Sequence, residues 1–243
     1  MEKENKKRYV ENNRIISELL IENEKILKDE GYNPPVINFA VDGDERVKIP
    51  AGYVRTTNDF CVDYHLSELI IENSTKKNIS YALQLSDYYN FIVNRFYVWG
   101  SIETMMYKQM FINVISIIEA LILECINRVD DGCCKCKQAG KCENKINKYA
   151  RENMKQAAER LYQLDILSIP DDKFERLIEL YDYRNKIHIR LNEQNEYLDD
   201  KFNLQLYNES IEMLKLVDAT LYERAIPFYG VCMGFVKKEG KAN

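Results

Sequence analysis

The sequence predicts an all-α protein, and three observations support this. Glycine (9 residues) and proline (5) are scarce in a chain of 243 residues, so a turn-rich β architecture is disfavoured. The composition, 46% hydrophobic and 30% charged, is typical of a globular protein rather than a disordered one. Apolar residues also recur at helical spacing over long stretches. We expect an N-terminal helix and arm (1–62), a helical bundle (63–226) and a C-terminal tail (227–243).

The first helix is predicted over residues 3–30, where one side is apolar and the other carries Glu, Lys and Asn. The apolar positions are Ile15, Ile16, Leu19, Ile26 and Leu27. Gly31 and Pro34 then end the helix. Over 36–62 the helical period disappears, and "VDGD" and "IPAG" separate short β-prone runs, so a small hairpin or extended arm is expected there.

The bundle is predicted to be built around one apolar helix. Gly100-Ser101 is a plausible break between a Tyr/Phe-rich helix and the apolar one that follows. Residues 102–126 are apolar on more than one face, which predicts neighbours on several sides. This run also contains Asn113, Ser116 and Glu119, which favour a core helix over a membrane span. Further helices are predicted over 144–163, after Pro170, and over 203–224.

Charge and targeting signals limit the function classes. The net charge of −5 disfavours a protein covered in positive potential, so an anionic ligand must meet a local basic patch. The N-terminal "MEKENKKRYVENN" lacks the apolar core and cleavage site of an export signal. We therefore expect a cytoplasmic protein with no membrane partner.

A polar end to an apolar stripe marks the candidate site. Phe174, Leu177, Ile178 and Tyr181 follow the spacing of a buried helical face, and the same face continues to Arg184, Asn185 and His188. One interpretation is that cations close a helix C-terminus, where the macrodipole favours them. The other is that a sheltered anion or a matching surface receives them, because burying an uncompensated charge is costly.

The segment "YRNKIH" (183–188) resembles the signature of HEPN domains, in which an Arg and a polar residue precede a His near the end of a late helix. HEPN domains are all-α bundles with one more long helix after the motif, as predicted here for 203–224. The resemblance covers about residues 80–226. It implies metal-independent RNA cleavage, and a symmetric homodimer whose two motifs face each other.

The resemblance also implies roles for individual residues. RNA provides its own nucleophile, the 2′-hydroxyl, and His188 would act as general base or acid. Arg184 would bind the phosphate and oppose its growing charge. Asn185 would orient the imidazole or a phosphate oxygen, and Lys186 and Arg190 would add positive field for RNA.

This chain departs from the HEPN pattern in its spacer, which has three residues between Arg184 and His188 instead of four to six. An i, i+4 pair still lies on one helical face. Three functions therefore stay open. The first is a ribonuclease acting in phage defence or as a toxin, with an antitoxin or defence partner. The second is a non-catalytic module that binds RNA, a nucleotide or a protein. The third is a zinc-stabilised interaction protein.

Four cysteines crowd the insert 130–143: Cys133, Cys134, Cys136 and Cys142. A reducing cytoplasm disfavours disulfides, and the Cys133-x-x-Cys136 spacing is typical of structural zinc. The second pair fits less well, so Cys125 or a partner chain would complete the site. Structural zinc, free thiols and disulfides all stay open, and none of them predicts a catalytic metal.

The chain has two histidines, and the one outside the motif is His65 in "CVDYHLSELI". A lone histidine in such a setting is more often packed in the protein or exposed at the surface than catalytic. We interpret His65 in this way, unless folding brings it to the candidate site.

Overall fold

The structure is a computed structural model that describes residues 2–31, 47–48, 50–135, 153–185 and 202–225, with the backbone alone at 130–135. The described residues form eight helices and no strand, so the all-α prediction is confirmed for them. The helices are α1 (Lys3–Asp29), α2 (Thr57–Asp63), α3 (Leu66–Leu69), α4 (Asn73–Arg95), α5 (Gly100–Lys135), α6 (Met154–Gln163), α7 (Asp171–Asn185) and α8 (Leu204–Arg224).

The chain divides into two compact units, Met1–Ile49 and Pro50–Asn243. In the first unit, α1 occupies Lys3–Asp29, and the predicted first helix is confirmed. None of its residues is buried. Arg14 pairs with Glu11 and Glu18, at 2.6 Å in each case, on the solvent-exposed surface of the helix. Such exposed pairs add little to stability.

The predicted extended arm is wrong at its C-terminal end, because residues 57–63 form α2. Thr56 caps this helix: its Oγ1 accepts from the Asp59 backbone N–H at 3.2 Å, and its own N–H donates to Asp59 Oδ2 at 2.8 Å. This capping box offsets the turn signals just before it. Of the rest of the predicted arm, residues 36–46 and 49 lie outside the described residues, and residues 47–48 and 50–56 form no strand.

Arg55 joins α2 to α4. Its guanidinium donates to Asp87 Oδ2 and Oδ1 at 2.9 and 2.8 Å, and to Asp63 Oδ2 at 2.9 Å. It also lies 4.5 Å from the centre of the Phe60 ring, whose side chain is fully buried. The carboxylates of Asp87 and Asp63 raise the pKa of Arg55, and Asp87 has the larger effect. This forked pairing fixes α2 against the bundle.

The core is built around α5, which packs against α8, α4, α6 and α7. Its inward side chains are between 0 and 3% exposed: Met110, Phe111, Val114, Ile115, Ile117, Ile118, Leu121 and Ile122. The prediction of a central helix is confirmed. The segment Gly100–Val129 is long and apolar enough to cross a membrane, yet 56% of its most apolar window is buried in the protein. That burial is typical of a core helix.

The helix α5 continues to Lys135, so the predicted insert 130–143 does not begin as a loop. Cys133 and Cys134 therefore lie on a helical backbone. The apolar pattern of α5 ends near Val129, so hydrophobic periodicity does not predict that the helix continues into the insert. Residues 136–152 lie outside the described part of the chain.

The predicted helices after Pro170 and over 203–224 are confirmed, whereas the helix predicted over 144–163 is confirmed only for Met154–Gln163, because Asn153 is extended and caps it. Residues 144–152 lie outside the described residues. The inward positions of α6, which are Met154, Ala157, Ala158 and Leu161, are all fully buried. Asn203 caps α8 by accepting from the Leu206 backbone N–H at 3.0 Å. The tail 227–243 lies outside the described residues.

Candidate anion-binding site

Arg184 lies at the end of the buried stripe of α7. Leu177 and Tyr181, on the same face, are 0 and 8% exposed, while Phe174 and Ile178 are partly buried against the core. The stripe therefore directs Arg184 toward the bundle, and its side chain is 28% exposed. The register predicted from the sequence places Arg184 at the edge of the core, where solvent still reaches the guanidinium.

Two side chains of the central helix hold the guanidinium of Arg184. Its Nη2 donates to Ser116 Oγ at 3.1 Å and lies 3.2 Å from Glu119 Oε2. Tyr181 donates its hydroxyl to the other carboxylate oxygen of Glu119 at 3.4 Å. Glu119 is thus held by two side chains of α7, and it fixes the orientation of Arg184 in turn.

The third contact of Arg184 is local, since Nη1 donates to the side-chain oxygen of Asn185 at 2.9 Å. A guanidinium has five N–H groups, and these contacts use three of them. The Nε–H and the second Nη1–H have no hydrogen-bond partner among the described residues. The Nε–H points along the side of the group that carries Nη2, whereas Nη1 lies on the other side, so the two can each donate one hydrogen bond to an anion but cannot bind the same phosphate side by side.

Glu119 compensates part of the positive charge at this site. Its side chain is 24% exposed, similar to that of Arg184, so both groups keep contact with water. A pair at this exposure is screened, and the site retains less positive field than an unpaired arginine would. Glu119 therefore orients the guanidinium and also competes with any anion that approaches it.

Aromatic side chains lie next to Arg184 on the same turn of α7. The Tyr183 ring stacks on Phe202, with centroids 5.4 Å apart and planes 16° apart, and Phe111 contacts both rings. Lys108 Nζ lies 5.8 Å from the Phe202 centroid and is 9% exposed as a residue. A cation held against an aromatic face in this way is stabilised by the ring quadrupole.

A cleft of about 380 Å³ lies between α7 and α8 beside this cluster. Arg176 on its wall donates to both oxygens of Glu209, at 2.7 and 2.9 Å, and to Glu179 at 2.7 Å. One cation facing two carboxylates leaves the wall net negative. A phosphate would be repelled there, so the cleft does not extend the anion site.

Several predicted site residues lie outside the described residues. For the proposed catalytic and RNA-binding groups these are Lys186, His188 and Arg190. For the predicted zinc site they are Cys136 and Cys142, together with the side chains of Cys133 and Cys134. Cys125 is 1% exposed within the core cluster. Among the described side chains, no group of three His, Cys, Asp or Glu residues could hold a metal ion.

The structure pairs His65 with Asp218, which the sequence reasoning did not predict. His65 Nδ1 lies 2.9 Å from Asp218 Oδ2, and the imidazole stacks on Tyr222 with centroids 3.9 Å apart. The backbone of His65 is left-handed, with φ of 43°, an uncommon conformation for a residue with a side chain. His65 is therefore packed against α8, in agreement with its interpretation, and its side chain is 35% exposed.

The carboxylate of Asp218 is almost completely buried, with its side chain 5% exposed. Its Oδ1 atom has no hydrogen-bond partner among the described residues. Burial raises the pKa of Asp218, and the hydrogen bond and charge of His65 offset part of that rise. The sequence did contain one signal, because Asp218 falls on the apolar stripe of α8.

No protein-family model, curated protein or solved structure matches this chain. The resemblance to HEPN domains therefore stays a prediction that rests on residues 183–188 and on the helical context around them.

Proposed function

We propose that this protein is a HEPN-like ribonuclease that cleaves RNA without a metal ion. The observation that carries the proposal is the position of Arg184. Its guanidinium is held at the edge of the core by Ser116 and Glu119, and two of its N–H groups have no partner among the described residues, so each can donate to a phosphate oxygen. A guanidinium held in place before the reaction stabilises the charge that develops on phosphate oxygens in the transition state.

In the proposed reaction, the 2′-hydroxyl oxygen of RNA attacks the adjacent phosphorus and the 5′-oxygen leaves. His188 removes the proton of the 2′-hydroxyl or returns one to the leaving oxygen. The products are a 2′,3′-cyclic phosphate end and a 5′-hydroxyl end. Asn185 orients Arg184 through the contact at 2.9 Å, and Lys186 and Arg190 attract the RNA backbone.

The proposal includes partners that follow from the HEPN resemblance. Two copies would present their motifs to each other, and an antitoxin or defence partner would control the activity. The cysteine cluster is proposed as a structural zinc site that stabilises the insert and takes no part in the reaction. We propose a cytoplasmic location on the same grounds.

A second function is favoured by the ion pair between Arg184 and Glu119. A guanidinium that is already paired exerts a weaker field on a transition state, and the three-residue spacer brings His188 closer to Arg184 along the chain than in other HEPN motifs. Both features suit a module that binds RNA or a nucleotide without cutting it. Binding without cleavage distinguishes this function from the first.

The test is to incubate the purified protein with RNA in EDTA and to compare it with Arg184→Ala and His188→Ala. The matched control is Arg224→Ala, because Arg224 is also a helix-terminal arginine paired with one carboxylate, Asp165 at 3.3 Å. We expect cleavage by the wild type and by the control only, with cyclic phosphate ends and no cutting of 2′-deoxy substrate. If the wild type cleaves RNA no faster than Arg184→Ala or His188→Ala does, the ribonuclease proposal is rejected. RNA binding lost only in Arg184→Ala would select the module.

A further inference from the structure

The helix α1 has an apolar face that the described residues of the chain leave exposed. It spans 27 residues, a length of about 40 Å at the usual rise per residue. Six large apolar side chains on one side are between 37 and 54% exposed: Tyr9, Ile15, Ile16, Leu19, Leu20 and Ile26. An exposed apolar stripe of this length marks an interaction site rather than ordinary protein surface.

The pattern on this face is that of a two-helix seam. Residues along its centre recur at alternating steps of four and three: Asn5, Tyr9, Asn12, Ile16, Leu19, Asn23 and Ile26. This heptad repeat is the spacing at which two α-helices pack side chains into each other over several turns. The asparagines within the seam require amide partners once water is excluded. The face therefore fits another helix that carries amides at matching positions.

We propose that α1 binds α1 of a second copy as an antiparallel helix pair. When Ile16 of one copy lies opposite Leu19 of the other, Tyr9 lies opposite Ile26. The same register places Asn12 opposite Asn23, so that each buried amide meets an amide. The three layers between Tyr9 and Ile26 then pair like with like, apolar with apolar and amide with amide, while Asn5 falls opposite Glu30 at the end of the seam.

The distribution of charge along α1 determines whether the two helices pack parallel or antiparallel. From Lys3 to Arg14, five basic residues face two acidic ones, which leaves a net charge of +3. From Ile15 to Asp29, two basic residues face four acidic ones, which leaves −2. Parallel helices could also match their asparagines, but they would place the basic half against the basic half. Antiparallel helices place each half beside the opposite charge.

One flank of the seam makes this complementarity specific. Arg8 borders the seam on the same side as Glu22 and Asp29. In the antiparallel register, Arg8 of one copy lies between Glu22 and Asp29 of the second copy, and the symmetry of the dimer repeats this contact at its other end. In a parallel pair, Arg8 would lie at the basic end of both helices.

The first experiment measures the mass of the full chain by light scattering over a dilution series. The seam variant is Ile16→Glu with Leu19→Glu. The matched control, Val10→Glu with Ile21→Glu, adds the same charges on the opposite face, where the two side chains are 58 and 70% exposed. We expect the seam variant to have half the mass of the wild type, with its dissociation constant raised more than about 100-fold, and the control to keep the wild-type mass. Equal masses for the wild type and the seam variant would overturn the proposal.

The second experiment determines direction through Arg8→Glu. Antiparallel packing predicts weaker association, which Glu22→Arg with Asp29→Arg then restores in the same chain. Because Arg8→Glu also places like charges beside Glu4 and Glu11 on the same helix, this rescue variant, and not the single substitution, distinguishes a lost contact between copies from fraying. A parallel pair predicts no weakening, because Arg8→Glu relieves repulsion between the two basic halves. Stronger or unchanged association would therefore reject the antiparallel arrangement.

This inference does not depend on the proposed ribonuclease. Arg184→Ala tests the anion site and leaves the α1 seam intact, whereas the seam variant leaves Arg184 and its partners intact. Mass measured by light scattering tests the α1 seam, and RNA cleavage tests Arg184. Measuring both on each variant lets either proposal fail without the other.

Discussion

The Nδ1 atom of His65 lies 2.9 Å from Oδ2 of Asp218, and this contact joins residues separated by 153 positions. It attaches the short helix α3 to α8 through a carboxylate that is nearly out of water. The second oxygen of that carboxylate accepts no hydrogen bond from the described residues. Charge on Asp218 therefore opposes folding except where His65 compensates it.

This relationship predicts how the stability of the protein depends on pH. Burial raises the pKa of Asp218 above 3.8, so the folded protein binds this proton more tightly than the unfolded chain does. The stabilising contribution of the protonated form is fully present below that value and is lost as the pH rises through the folded pKa. Asp218→Asn removes the ionisation. Relative to the wild type, its free energy of unfolding should increase between about pH 4 and about pH 7, as measured by urea denaturation.

The control for this prediction is His65→Ala, which leaves Asp218 in place. Because His65 lowers the pKa of Asp218, its removal should raise that pKa further and steepen the loss of stability with pH. A difference between Asp218→Asn and the wild type that does not change with pH would contradict the assigned cause.

The ion pair of Arg184 with Glu119 predicts a measurable coupling between α7 and α5. Both side chains are about a quarter exposed, so a double-mutant cycle with Arg184→Ala and Glu119→Ala should give a coupling of about 1 kcal/mol. Arg184→Ala alone should cost more than the coupling, because it also loses Ser116 and Asn185. Urea denaturation of the four proteins provides the measurement. A coupling near zero would mean that water screens the pair completely.

Glu119 has a second predicted effect if the proposed function is correct. Glu119→Gln removes the charge that competes with RNA but keeps an oxygen that can accept from Arg184. RNA affinity should therefore increase by about three- to tenfold, measured by fluorescence anisotropy. Ser116→Ala, which removes a neutral contact of the same guanidinium, is the control and should change affinity less. Weaker binding by Glu119→Gln would show that Glu119 acts mainly to position Arg184.

The cysteine cluster predicts stoichiometric zinc in freshly reduced protein. Elemental analysis should find about one zinc per chain, lost in Cys133→Ser with Cys136→Ser. Cys61→Ser is the matched control, since Cys61 lies 3.9 Å from Ser80 Oγ against α4 and far from the cluster in sequence. Absence of zinc from the wild type would reject the metal site.

The sequence predicted the central helix because its apolar residues cover more than one face, a pattern that few other folds explain. It missed α2 because the turn signals of 36–55 stand next to it, although Thr56 and Asp59 form a recognisable capping box. The N-terminus of α2 was therefore present in the sequence as a local signal. Local signals of this kind can be found by a closer examination of spacing.

The contacts between helices could not be predicted in the same way. Periodicity placed Arg184 on the inward face of α7, but Ser116 lies 68 positions earlier in the chain. Which polar residue of α5 meets Arg184 depends on how the two helices cross, and periodicity does not contain that information. The pairing of His65 with Asp218 could not be predicted for the same reason, because it depends on how α3 and α8 pack against each other. Only the presence of an aspartate on an apolar stripe indicated that some partner was needed.

The contact between Arg176 and Glu209 predicts a pH dependence opposite to that of Asp218. The hydrogen bonds from Arg176 lower the pKa of Glu209 below 4.5. The stabilisation from ionised Glu209 is present above pH 4.5 and is lost as the pH falls through the folded pKa of Glu209. Arg176→Gln should lower the free energy of unfolding by about 1 kcal/mol near neutral pH, and this difference should shrink in acid. Arg14→Gln is the control, because the pairs of Arg14 on α1 are more exposed, and it should cause no measurable change. Urea denaturation at neutral and acidic pH tests both, and a deficit of Arg176→Gln that grows in acid would contradict the assigned role of Glu209.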